Sequence, residues 1–183
     1  MKKPKAWLFS ILFLMVTSFA DCEESRKVSH KFVDKNFIGI TIGTDFLIKL
    51  ETLFGKGVVD SEGDSRCYFN PSESAYIVFV LCEDNRICSV LVSKDKSLWE
   101  ECEKALIRIP MQTGKGIKIG DTREEIILTY GPPQKKEASN GFEIESFEYH
   151  TTFEKDVDVN LYYDSKFDFD RGKLIRLFIH DGS

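Results

Sequence analysis

A five-residue pattern occurs twice in this chain: Gly39-Ile40-Thr41-Ile42-Gly43 returns 77 positions later as Gly116-Ile117-Lys118-Ile119-Gly120. Each copy is followed by a polar pair, a stretch of helical period and an aromatic-glycine stop, Phe54-Gly55 first and Tyr130-Gly131 second. Self-similarity over this distance points to one supersecondary unit used twice, which constrains the fold before any single residue does.

In the second copy, Thr122 and Glu125 have the spacing of a capping box, and Asp121, Glu124 and Glu125 gather at the positive end of a helix dipole. Ile126, Ile127 and Tyr130 supply its apolar face, and Gly131-Pro132-Pro133 stops it with a left-handed glycine cap and a proline that cannot continue. In the first copy Thr44 or Asp45 caps the helix, Leu47, Leu50 and Phe54 form the face, and Gly55 ends it. β-rich runs follow each helix, at 67–69, 76–81 and 87–92 and then at 142–150, 157–163 and 174–180. Between the units, Ser97 and Glu100 form another capping box, and Leu98, Cys102, Ala105, Leu106 and Ile109 share a helical face before Pro110. The expected class is therefore α+β: two tandem repeats, 36–93 and 113–183, each a short helix packed on a small antiparallel β-sheet. A helical connecting segment is expected over 94–112.

The N-terminus carries an address. Lys2, Lys3 and Lys5 precede an uncharged apolar run of 15 residues, 6–20, and Ser18-Phe19-Ala20 places small residues where a signal peptidase cleaves. Residues 1–20 read as a signal peptide and 21–35 as a polar arm. An uncleaved anchor needs a run of about 20 residues, longer than this one. A lipoprotein signal also ends before a cysteine, but Asp21 stands ahead of Cys22 where a small residue belongs, which argues against lipidation of Cys22. The expected location is periplasmic or secreted, with an outer-membrane lipoprotein as the alternative.

Setting Cys22 aside leaves Cys67, Cys82, Cys88 and Cys102, an even set confined to the first half. In an exported chain this predicts two disulfides, with all three pairings open. Zinc is the poorer reading, because there is no Cys-x-x-Cys pair. Loss of three lysines with the leader leaves 22 basic against 30 acidic residues, a net charge of −8. That balance disfavours nucleic acid and anionic membrane surfaces as partners. Gly55-Lys56-Gly57 and Gly114-Lys115-Gly116 lack the Gly-Lys-Ser/Thr of a phosphate loop, and no Gly-x-Ser-x-Gly elbow occurs. The acidic residues from Asp156 to Asp170 lack the twelve-residue ligand spacing of a calcium loop. No catalytic set and no cofactor are expected.

Strand alternation places Glu148, His150, Asp158, Tyr162, Arg176, Phe178 and His180 together on one open sheet face. Aromatics and arginine set among charges are what a protein-binding surface contains. The expected function is a non-enzymatic module that offers this face to an envelope or secreted protein. One alternative is a metal or acid-base site built on His150, His180 and Asp158; another is an architectural periplasmic domain.

The run Thr113-Gly114-Lys115-Gly116-Ile117-Lys118-Ile119-Gly120-Asp121-Thr122, with Glu125-Ile126 and Tyr130-Gly131-Pro132-Pro133, resembles the glycine, acidic-helix and Tyr-Gly-x-Pro signature of one superfamily. This is the SmpA/OmlA (BamE-like) and β-lactamase-inhibitor-protein-like superfamily of small exported proteins. The resemblance covers both units, and the inhibitor-like members also carry two in tandem. It implies an envelope protein that binds other proteins and lacks catalysis. The cysteine cluster and the sequence before Cys22 depart from the pattern, so no member's functional residues transfer by position.

Overall fold

Apolar residues at every second position build one antiparallel sheet of eight strands. The computed structural model of the chain describes residues 34–95, 100–138, 144–155 and 159–182. A short ribbon, β1 (Asn36–Phe37) and β2 (Ile40–Thr41), leads into helix α1 (Leu47–Phe54). Four strands follow: β3 (Val58–Val59), β4 (Ser65–Asn70), β5 (Ala75–Leu81) and β6 (Ile87–Ser93). A 3-10 helix (Glu100–Lys104) then leads to helix α2 (Arg123–Tyr130). Four more strands complete the chain: β7 (Lys135–Ala138), β8 (Ile144–Lys155), β9 (Val159–Asp170) and β10 (Lys173–Asp181). Their order in the sheet is β3-β4-β5-β6-β10-β9-β8-β7.

This order corrects the expected class. Two helices resting on two small sheets would leave β6 and β10 as edges. Instead they pair with each other, from Arg176 opposite Ser93 to His180 opposite Ser89. The cause lies in their core-facing side chains: Val90, Val92, Leu177 and Ile179 are all buried. As separate edges, two such apolar strands would offer unpaired backbone to other chains. Joined, they carry one continuous core across the molecule.

The two glycine segments hold corresponding places at the ends of those central strands. Gly43 N–H donates to the Ile87 carbonyl at 2.7 Å, and Gly120 N–H to the Leu174 carbonyl at 2.8 Å. Each helix then lies over the core face and is tied to the sheet by a tyrosine. Tyr68 of β4 donates its hydroxyl to the Gly55 carbonyl at 2.7 Å, and Tyr149 of β8 to the Gly131 carbonyl at 2.9 Å. Burial pushes both phenols up to about 12.

The helix ends differ from one another. At α2 the predicted capping box is present: Glu125 N–H donates to Thr122 Oγ1 at 3.2 Å, and Thr122 N–H to Glu125 Oε2 at 2.6 Å. The bond from the Thr122 backbone holds the Glu125 carboxyl below its ordinary value. At α1 neither expected cap serves. Phe46 occupies the N-cap with no side-chain bond, while Asp45 accepts from Thr41 N–H at 2.7 Å and pairs with Lys49 at 2.6 Å. Both terminal glycines have positive φ, but with extended ψ: 79°/−177° at Gly55 and 88°/−176° at Gly131. That region is open essentially to glycine alone, a stricter demand than the left-handed cap expected.

The connecting segment is not a long helix. Beyond the 3-10 helix, Ala105 and Ile107 extend along β4, with Phe69 N–H donating to Ala105 O at 2.9 Å and Ile107 N–H to Phe69 O at 3.0 Å. Leu106 is consequently exposed rather than part of a helical face. Ser97 and Leu98 lie outside the described residues. The disulfides pair Cys67 with Cys102 and Cys82 with Cys88. The first pins the 3-10 helix over the second face of β4–β6, where Cys67, Tyr76, Val78 and Cys102 form a small buried cluster apart from the main core. Tyr76 hydroxyl adds a bond to Glu103 Oε1 at 2.9 Å.

Candidate functional site

Over β8–β10 the described residues leave the same second face open. Along β9, Tyr163, Ser165, Phe167 and Phe169 point to the core, so Asp164, Lys166 and Asp168 point outward. The register sets three rows across the strands. His150, Asp164 and His180 form one; Glu148, Lys166 and Phe178 the next; Ser146, Asp168 and Arg176 the third. Glu148, His150, Arg176, Phe178 and His180 therefore share a face, as the alternation predicts. Asp158 lies outside the described residues, and Tyr162 is placed only by its backbone, opposite Thr152 of β8.

Sequence reasoning misses the middle of each row. Asp164, Lys166 and Asp168 are the contacts that link the predicted residues, and the expected strand run ends at 163 whereas β9 continues to Asp170. The signal is present in Tyr163-Asp164-Ser165-Lys166-Phe167-Asp168-Phe169-Asp170, where charged and uncharged residues alternate and three of the four uncharged ones are aromatic.

Each row has its own chemistry. In the first, His150 Nδ1 lies 2.5 Å from Asp164 Oδ1, and both side chains are about half exposed. In the second, Lys166 Nζ reaches away from Phe178 to Glu148 at 3.4 Å and Glu137 at 3.9 Å. Lys135 joins the same two carboxylates, lying 3.3 Å from Glu148. Hydrogen bonds to Glu137 and then Glu148 raise the Lys135 ammonium above its ordinary value, and the bond from Lys135 lowers the Glu137 carboxyl. In the third row the Asp168 carboxylate is buried. It accepts from Ser146 Oγ at 2.6 Å and from Arg176 Nη1 at 3.4 Å. Arg176 Nη2 lies 3.6 Å from Asp95 as well.

Phe178 stands at the centre with its ring stacked on His180, centroids 5.9 Å apart and planes 13° from parallel. A cleft lies on either side of it. One, of about 410 Å³, includes Glu148, His150, Asp164 and Lys166; the other, of about 310 Å³, includes Leu91, Asp168 and Arg176. At the β7 end of the first cleft, the Gln134 amide donates to the His150 carbonyl at 2.5 Å and accepts from His150 N–H. It continues the strand ladder with a side chain. Among the described residues, no group of three or more His, Cys, Asp or Glu is placed to hold a metal ion. None of the described helices is long and apolar enough to cross a membrane.

No family model and no curated protein matches the chain, so neither comparison bears on the resemblance drawn from the glycine segments. Among solved structures, it is similar to that of a DUF4309 family protein (YjgB) from Bacillus subtilis subsp. subtilis str. 168. The two share 11% identity over 79% of this chain and 83% of that one, with a TM-score of 0.45, a likeness too slight to bear on function.

Proposed function

We propose that this chain is an exported, non-enzymatic binding module that presents the open face of β8–β10 to an envelope or secreted protein. The observation that carries the reading is the composition of that face: a central aromatic residue with a cleft on each side, ringed by half-exposed charges. Interfaces concentrate their binding energy in such buried-on-contact aromatics and arginines, with a charged rim that excludes water. The two disulfides support export, because such bonds persist in oxidising compartments.

The test is capture of partners from the native envelope by the mature protein and by an Arg176→Ala, Phe178→Ala double variant. The double variant should lose a partner retained by wild type while remaining folded at the capture temperature, with a lowered melting temperature because the buried Asp168 carboxylate loses Arg176. Undiminished capture would move the binding surface elsewhere. The His150–Asp164 pair favours a second reading, acid-base or metal chemistry on the same face. That reading requires a stoichiometric metal or a turnover that disappears in His150→Ala and His180→Ala.

A further inference from the structure

The partner's chemistry follows from how the charges on this face are spent. The clefts beside Phe178 hold the carboxylates of Glu148, Asp164 and Asp168 and the cations of Lys135, Lys166 and Arg176, and those cations are also engaged by Glu137 and Asp95. Lys166 is drawn toward β8 and β7 by Glu148 and Glu137, Lys135 of β7 pairs with the same two carboxylates, and Arg176 lies between Asp168 and Asp95. That leaves the Phe178 and His180 rings bordered by Asp164, which meets the His150 imidazole rather than a fixed cation. The chain as a whole is acidic, at −5 with its leader.

We infer that the occupant of this face is a basic protein surface that lays an arginine or lysine side chain over Phe178 beside Asp164. The inference rests on the open-face reading above and gives its partner a chemistry. A cation over an aromatic ring is attracted by the ring's negative face, and a neighbouring carboxylate adds to the attraction. An acidic partner would meet a field of its own sign, both here and over the whole molecule.

The probe is acetyl-Gly-Arg-Gly-amide, titrated into the isotopically labelled full mature chain and followed through the backbone amides of Asp164, Phe178 and His180. Two control peptides replace arginine with citrulline, its neutral isostere, or with glutamate. The arginine peptide should give saturable shifts at those three amides that weaken with added salt, and the controls should give none. Asp164→Asn and Phe178→Leu should each weaken binding about two- to fivefold. Unchanged thermal melting identifies the variants as folded. Equal shifts with citrulline or glutamate would overturn the inference, as would shifts centred on another acidic site such as Asp60 and Asp64, or no saturable shift. If the Arg176→Ala, Phe178→Ala variant still loses its captured partner in those cases, the open-face reading stands and only the basic partner falls.

Discussion

The two halves of the sheet use their second face in opposite ways. Over β4–β6 it is apolar and covered, with Tyr76 and Val78 lying beneath a 3-10 helix that the Cys67–Cys102 bond holds in place. Over β8–β10 the corresponding positions carry Glu148, Lys166, Asp168 and Arg176, half-exposed or engaged with one another. Outward-facing residues therefore report what lies above them. Where the described residues supply cover, they are apolar; where the described residues supply none, they are charged, with Phe178 at the centre. Both disulfides belong to the covered half, so its stability depends on a cross-link as well as on burial.

Cutting that cross-link should have the largest effect. The 35-residue separation of Cys67 and Cys102 corresponds to roughly 4 kcal/mol of chain entropy, and the six-residue Cys82–Cys88 loop to roughly 2 kcal/mol. Denaturant unfolding of paired Cys→Ala variants should rank them in that order. The Cys67/Cys102 variant should also expose Tyr76 to proteolysis or dye binding. If the two variants lose equally, the cover is not held by its disulfide.

The next test belongs to the open half. Gly131→Val places a branched side chain at φ 88°, ψ −176°, with no neighbouring atom within 4 Å of the added Cβ. The cost is then one of backbone strain, about 1–3 kcal/mol. Unfolding midpoints compared with Gly55→Val, at nearly the same angles, would reveal whether the two helix ends are equally demanding.

The smallest expected effect separates the two helix starts. Thr122→Ala should cost about 1 kcal/mol, whereas no side chain caps α1. Glu125 has a lowered carboxyl pKa in the fold, so its contribution is present above the unfolded value and is lost as pH falls through the folded one. An acid titration of stability should therefore be shallower in Thr122→Ala than in wild type. Identical titrations would remove the capping box from the account.

The local signals in this sequence were legible because they act locally. The Thr122–Glu125 box, the glycine stops and the even set of cysteines each specify something within a few residues or by parity alone. The pairing of β6 with β10 was not legible, because it joins strands more than 80 residues apart and no local pattern names a strand's neighbour. A physical hint existed even so: β6, Ile87–Ser93, carries none of the lysines, prolines or bulky charges that protect an edge. β7 was missed for the converse reason. Its four residues are all exposed, and an edge strand with no buried side gives no alternation to read. Asp164, Lys166 and Asp168 lie past the expected end of that strand run at 163, where polar Ser165 takes an inward position and weakens the apolar alternation.

The ladder at the outer end of β8 has a consequence for how the molecule behaves in company. A free strand edge invites copies of the same chain to add to it, and such growth begins with a few unpaired amides. Here β7 presents Lys135 and Lys136 at that edge, and the Gln134 side chain occupies the hydrogen-bonding groups of His150 immediately beyond. A glutamine amide resembles a peptide group but ends in one, so it satisfies a rung without offering the next. At this rung the sheet is closed to propagation, so the His150 groups cannot template the addition of another strand.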